Sequence, residues 1–214
     1  MIRQQGNDPF QRLDFDTEWE LPFTLHTTPP LTQNLRNSRA IWDAMAVIRP
    51  DLHLFDFTGP EGEAITYIAP AAHEGGEATG AAVRTLLHEL INTQGITPGD
   101  ILLITCRADR ASKWRDWREA WRDEIPLRAL TQLRQTKEEE RHRFVKFSTI
   151  RASKGLESNV VILVELDGID HATGAALPTL RRRDKLMYVA ISRARHRLFV
   201  LGPPTALAPL VPPT

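Results

Sequence analysis

Residues 147–166 read Phe147-Ser148-Thr149-Ile150-Arg151-Ala152-Ser153-Lys154-Gly155-Leu156-Glu157-Ser158-Asn159-Val160-Val161-Ile162-Leu163-Val164-Glu165-Leu166. The beginning closes a strand predicted over residues 144–150, and the end is a strongly apolar run over residues 160–166. A strand that is apolar at every position, rather than at alternate ones, has both faces covered, as in a parallel sheet between two layers of helices. The short connection between the two strands mixes small and charged residues, the composition of a segment that reaches a ligand crevice at a sheet edge.

The neighbouring segments carry the same alternation. Leu186, Met187, Ala190, Ile191 and Ala194 recur at helical spacing in a helix predicted over residues 180–194, followed by a closing strand over 197–202. On the other side, Ala82, Val83, Leu86, Leu87, Leu90 and Ile91 make an amphipathic helix that turns at residues 97–100 into an apolar strand over 101–105. Short strands are predicted over 53–57 and 64–69, and a helix over 37–48 is stopped by Pro50. Strand and helix in alternation predict an α/β fold with a mainly parallel sheet flanked by helices. Three parts are expected: an irregular segment over residues 1–30 that looks like a cut edge, one domain over 31–202, and a proline-rich tail over 203–214.

The chain has 214 residues, 42% of them hydrophobic and 25% charged, enough for one real core. Lys+Arg and Asp+Glu balance at 27 each, so a nucleic-acid partner has to be argued from motifs rather than from net charge. One cysteine, Cys106, excludes an intramolecular disulfide and fits a reducing compartment, and it reads as a small buried thiol closing an apolar strand. No stretch reaches the roughly 18 to 20 apolar residues a membrane-spanning helix needs, so a cytoplasmic protein is expected. The seven histidines have no paired spacing with a second ligand, so no metal site is predicted.

Two local patterns invite a functional reading and do not support it. Gly75, Gly76 and Gly80 suggest a phosphate cradle, but Ala81 and Ala82 stand where a phosphate loop has its lysine and hydroxyl, so a flexible loop is expected. Trp114, Trp117 and Trp121 lie on one face of a helix as either a base-stacking platform or core packing, and packing is the preferred reading.

The most specific signals are two long motifs in order. Thr149-Ile150-Arg151-Ala152-Ser153-Lys154-Gly155-Leu156-Glu157, followed by an apolar strand, resembles motif V of UvrD/Rep-type superfamily-one DNA helicases. Leu186-Met187-Tyr188-Val189-Ala190-Ile191-Ser192-Arg193-Ala194-Arg195 resembles motif VI of the same family. Residues 31–38, containing Thr32, Asn34, Arg36 and Ser38, resemble motif IV, and Asp8-Pro9-Phe10-Gln11 is similar to the end of motif III.

This resemblance implies the carboxy-terminal RecA-like domain of an ATP-dependent helicase or translocase, with ATP held between it and a Walker-type motor domain. Arg36 and Arg193 would then be the cations that stabilise charge on the terminal phosphate. Gln11, Gly155 and Glu157 would join them in binding the nucleotide, Glu157 through the ribose. Thr32, Thr149, Arg151 and Ser153 would contact single-stranded DNA. Tyr188 reads as packing, and Arg181-Arg182-Arg183 either as phosphate contacts or as a solvated turn.

Neither a Walker A loop nor an acidic Walker B strand is recognised. The partner is therefore expected to be a Walker A/B-containing RecA-like domain, in cis or in trans, which would also hold Mg2+ for the ATP. Arg151 replaces the usual histidine of motif V, and the interval from Arg36 to Thr149 leaves no room for a large accessory insertion. The alternative expectation is a helicase-derived DNA- or protein-binding module without ATPase activity.

Overall fold

The structure is a computed structural model that describes residues 33–34, 36–49, 52, 56–70, 75–166 and 178–203. The expectations for Gln11 and Thr32, for the irregular start and for the tail from residue 204 onward lie outside these residues.

The elements in order are β1 (Gln33–Asn34), α1 (Arg39–Ile48), β2 (Asp56–Phe57), β3 (Thr66–Ile68), α2 (Gly75–His88), β4 (Ile101–Thr105), α3 (Trp114–Ala120), β5 (Leu127–Ala129), α4 (Leu130–Leu133), β6 (Val145–Thr149), β7 (Ser158–Val164), α5 (Pro178–Ile191) and β8 (Ala194–Leu201). Six strands form one all-parallel sheet in the order β3-β8-β7-β4-β6-β5, and β1 pairs with β2 in a separate two-stranded parallel ladder.

The apolar runs split by parity between two cores, as strands covered on both faces must. Leu102, Ile104, Val161 and Leu163 face α1 and α5, where Ile41, Met45, Val189 and Ala190 are buried. Ile101, Leu103, Val160, Ile162 and Val164 face α2 and α3, with Val83, Leu87, Trp114 and Trp117. Lys146, between the inward Val145 and Phe147, turns to the opposite face, where burial lowers its pKa and the charge of Asp100 works against that shift.

The tryptophan stripe packs as expected. Trp114 stacks on Phe147 at 4.4 Å between ring centroids, and Trp117 stacks on Trp121 at 5.6 Å. The glycines lie in the first turns of α2 instead of in a flexible loop, and packing explains Gly80. A Cβ at Gly80 would stand 2.6 Å from Trp117 Nε1, so the close approach of the indole requires the missing side chain. Cys106 is half-buried rather than buried, because β4 ends one residue before it. Edge strand β5, with a single apolar residue turned into the core, has too little patterning to be read from sequence.

Candidate functional site

Because all six strands are parallel, the sheet has an amino edge and a carboxyl edge. Three segments distant in sequence meet at the amino edge: residues 36–38 ahead of α1, residues 155–158 at the start of β7, and residues 192–196 from the end of α5 into the start of β8. Asn37 Nδ2 donates to the Ala194 carbonyl at 2.5 Å and to Ser192 at 3.4 Å. The Ser38 amide donates to the Arg195 carbonyl at 2.8 Å, and its hydroxyl to His196 at 3.3 Å. The Ser158 amide donates to the Arg193 carbonyl at 3.0 Å, which ties the second and third segments together. Buried donors and acceptors need partners, so this exchange fixes the three segments in one geometry.

Glu157 lies at the rim of this junction. Its carboxylate is 3.1 Å from Arg36 Nε and 3.7 Å from an Arg195 terminal nitrogen, with the side chains of Arg36, Glu157 and Arg195 52%, 40% and 46% exposed. Gly155, with φ of +80°, makes the left-handed turn that brings Leu156 and Glu157 to the edge, a conformation that costs a side-chain-bearing residue free energy.

Arg193 is placed differently from the expectation of a phosphate-facing cation. It is 1% exposed, and its guanidinium donates to the Val189 carbonyl at 2.9 Å, the Leu156 carbonyl at 3.1 Å and Ser192 Oγ at 3.0 Å. The Arg193 and Ser192 side chains both reach Val189, satisfying a carbonyl that the end of α5 leaves without a helical partner. The exposed cation of this stretch is Arg195, a residue that sequence reasoning did not single out, although it stood two places away in the same quoted motif.

The residues expected to face DNA belong to the other edge. Thr149 is level with Thr105 at the carboxyl end of β6, and Thr105 is level with Val164 at the end of β7. The connection over residues 150–157 then crosses the layer to the amino edge. Thr149 is half-buried, with its Oγ1 accepting the Ala152 amide at 3.2 Å, and Arg151 is exposed. Ser153 faces inward: it is fully buried, and its hydroxyl donates to the Ile150 carbonyl at 2.7 Å. Tyr188 is buried as expected, under the guanidinium of Arg49.

The carboxyl edge also holds a carboxylate that sequence reasoning did not single out. Glu165 follows β7 with φ of +56° and accepts from Thr105 Oγ1 and Ser112 Oγ, both at 2.5 Å, and from the Lys113 amide at 3.0 Å. An Arg107 terminal nitrogen stands 3.9 Å away. The one available signal was a charged residue at the end of an otherwise apolar run.

The donor set at the amino edge fits a nucleotide in its exposed part. Two guanidiniums on a fixed backbone suit phosphate oxygens, and a carboxylate suits sugar hydroxyls. Buried Arg193 lies behind that rim. Among the described residues, no helix is long and apolar enough to cross a membrane.

Residues 111–202 match the model of the UvrD-like helicase C-terminal domain. Among solved structures, the chain is similar to the C-terminal domain of a possible DNA helicase from Lactobacillus plantarum WCFS1, at 16% identity and a TM-score of 0.57, over 84% of this chain and 95% of that one. No curated protein gives a significant match.

Proposed function

From the match of residues 111–202 to the UvrD-like helicase C-terminal domain, we propose that the chain is the second motor domain of an ATP-dependent DNA helicase or translocase. In this reading it adds a nucleotide-facing rim and a single-stranded DNA contact to a Walker A/B-containing RecA-like domain, supplied in cis or in trans. The observation that carries the reading is the meeting of Arg36, Glu157 and the 192–196 segment, which lie far apart in sequence and share one edge of the sheet.

Arg36 at the rim would hold phosphate oxygens, with Arg193 behind it fixing the backbone on which Glu157 stands. Glu157 and Gly155 would border the sugar, while Thr149 and Arg151 at the opposite edge would meet the DNA backbone. When bound, ATP with its Mg2+ supplies the phosphoryl-transfer free energy that drives cleft closure and reopening. The connection over residues 150–157 joins both edges and would carry the state of one to the other.

The test is DNA-stimulated ATP hydrolysis. The chain alone should show none, and robust turnover by the isolated chain sinks the reading. Combined with a Walker-containing RecA-like domain, the wild-type chain should support turnover, and Arg36→Ala should lower it by roughly a hundredfold or more. Unchanged turnover removes Arg36 from its role. A second reading, a DNA- or protein-binding module without ATPase activity, is favoured by the burial of Arg193, whose guanidinium is spent on the fold. DNA binding that ignores both ATP and the Walker-containing partner would select it.

A further inference from the structure

Resting on the nucleotide-facing role proposed for the amino edge, we infer that Glu157 is an intramolecular stand-in for phosphate that holds Arg36 and Arg195 as a pair, and that Arg195 is a second phosphate-binding cation. The two guanidiniums come from segments more than 150 residues apart, yet both address a single carboxylate. Their backbones are set by neighbouring hydrogen bonds rather than by the ion pairs. The Ser38 amide binds the carbonyl of Arg195 itself, and Asn37 binds that of Ala194. The two arginines therefore remain neighbours if Glu157 lets go.

The ion pairs are built for exchange. At 3.7 Å, the Arg195 contact is a charge attraction outside hydrogen-bond range, and all three side chains are substantially exposed. A polyphosphate offers more charge and several acceptor oxygens in place of one carboxylate, so the guanidiniums gain by transferring to it. Other arginines nearby have carboxylates of their own, Arg39 with Glu61 at 3.5 Å and Arg197 with Glu63 at 2.8 Å. Arg193 takes no part in the transfer, because its donors are engaged with Val189, Leu156 and Ser192. The ligand class is a triphosphate chain, with the sugar and base outside the argument.

The experiment titrates the full chain, labelled on its arginine side chains, with inorganic tripolyphosphate and follows the Nε–H resonances. Those of Arg36 and Arg195 should move together with one affinity, while that of Arg193 stays in place. Arg195→Ala should weaken tripolyphosphate binding by about three- to tenfold, as expected for losing one charge-assisted contact. Glu157→Gln should tighten it by about two- to fivefold, because it removes an exposed ion pair that competes with the ligand.

Binding unaffected by Arg195→Ala, or weakened by Glu157→Gln, overturns the inference. So does a shift spread evenly over unrelated exposed arginines such as Arg115 and Arg122, since it reports general charge attraction. Loss of partnered ATP hydrolysis in Arg36→Ala, alongside tripolyphosphate binding that ignores Arg195, leaves the proposed function standing and removes only this inference. Retained hydrolysis in Arg36→Ala, with the paired shifts intact, does the reverse.

Discussion

The amino and carboxyl edges of the same sheet handle charge in opposite ways. At the amino edge, one arginine is buried to lock backbone, and two more stand at the surface around Glu157. At the carboxyl edge the buried charge is negative: Glu165, held in a left-handed conformation by two hydroxyls and an amide. Parallel α/β sheets commonly place ligands at the carboxyl ends of their strands. Here the buried carboxylate at that end is engaged by the chain itself, and the two exposed arginines that share Glu157 stand at the amino edge, Arg36 ahead of α1 and Arg195 at the start of β8. Fold class alone therefore does not choose between the edges, and the proposed nucleotide-facing role of the amino edge rests on the bonding state of its charged side chains.

The comparison can be broken first at Arg193. Arg193→Ala leaves the Leu156 and Val189 carbonyls short of donors and opens a buried space, so urea unfolding should show a loss of about 2–4 kcal/mol. Arg195→Ala at the exposed rim should stay within about 0.5 kcal/mol of wild type. Equal losses for the two variants would erase the distinction between a structural and a surface arginine at that edge.

At the carboxyl edge, Glu165→Gln keeps the shape but replaces one acceptor oxygen with a donor amide facing groups that already donate. A loss of about 1–3 kcal/mol in the same measurement is expected. A neutral result would mean that the two hydroxyls and the Lys113 amide are satisfied as well by a carboxamide as by the carboxylate.

Within motif V, Ser153→Ala should cost about 1 kcal/mol through the hydroxyl bonded to Ile150, with no change in affinity for single-stranded DNA. Arg151→Ala should leave stability alone and reduce the dependence of oligonucleotide affinity on salt by about 0.7 in log–log slope, the loss of one phosphate contact. If Ser153→Ala weakens DNA binding while Arg151→Ala does not, the inward and outward assignments of these two residues are reversed.

The smallest effect concerns Lys146. Its pKa in the folded chain lies below the unfolded value because burial disfavours the charge. At neutral pH the protonated lysine therefore weakens the fold. Between its folded and unfolded pKa values the unfolded chain binds more protons, so stability rises with pH across that interval. Lys146→Met should raise the urea midpoint at neutral pH, with the advantage shrinking as the pH approaches the ordinary lysine range. An advantage constant in pH would assign the gain to packing instead of charge.

Much of this molecule was legible in the chain because its signals are local. The strand over residues 101–105 coincides with β4, and the apolar run over 160–166 covers most of β7, since a short run of successive apolar residues suits a doubly covered strand. The tryptophan spacing allowed a base-stacking platform or core packing, and the preferred packing is what Trp114, Trp117 and Trp121 do. Strand β5 and the start of α2 at Gly75 were not legible, since a weak pattern gains order from its neighbours, as Gly80 does from Trp117.

The sequence by itself determined the fold class, the two interior layers and the motifs that hold the candidate residues, because periodicity and residue type act over a few positions of chain. Only the tertiary structure decided which charged groups face solvent. Arg193 and Arg195 are two residues apart and chemically identical, and nothing in their order says that one is walled in by Leu156 and Val189 while the other meets Glu157. Burial and pairing depend on segments brought together from across the chain, and a guanidinium is committed only once the carbonyls and carboxylates around it are in place.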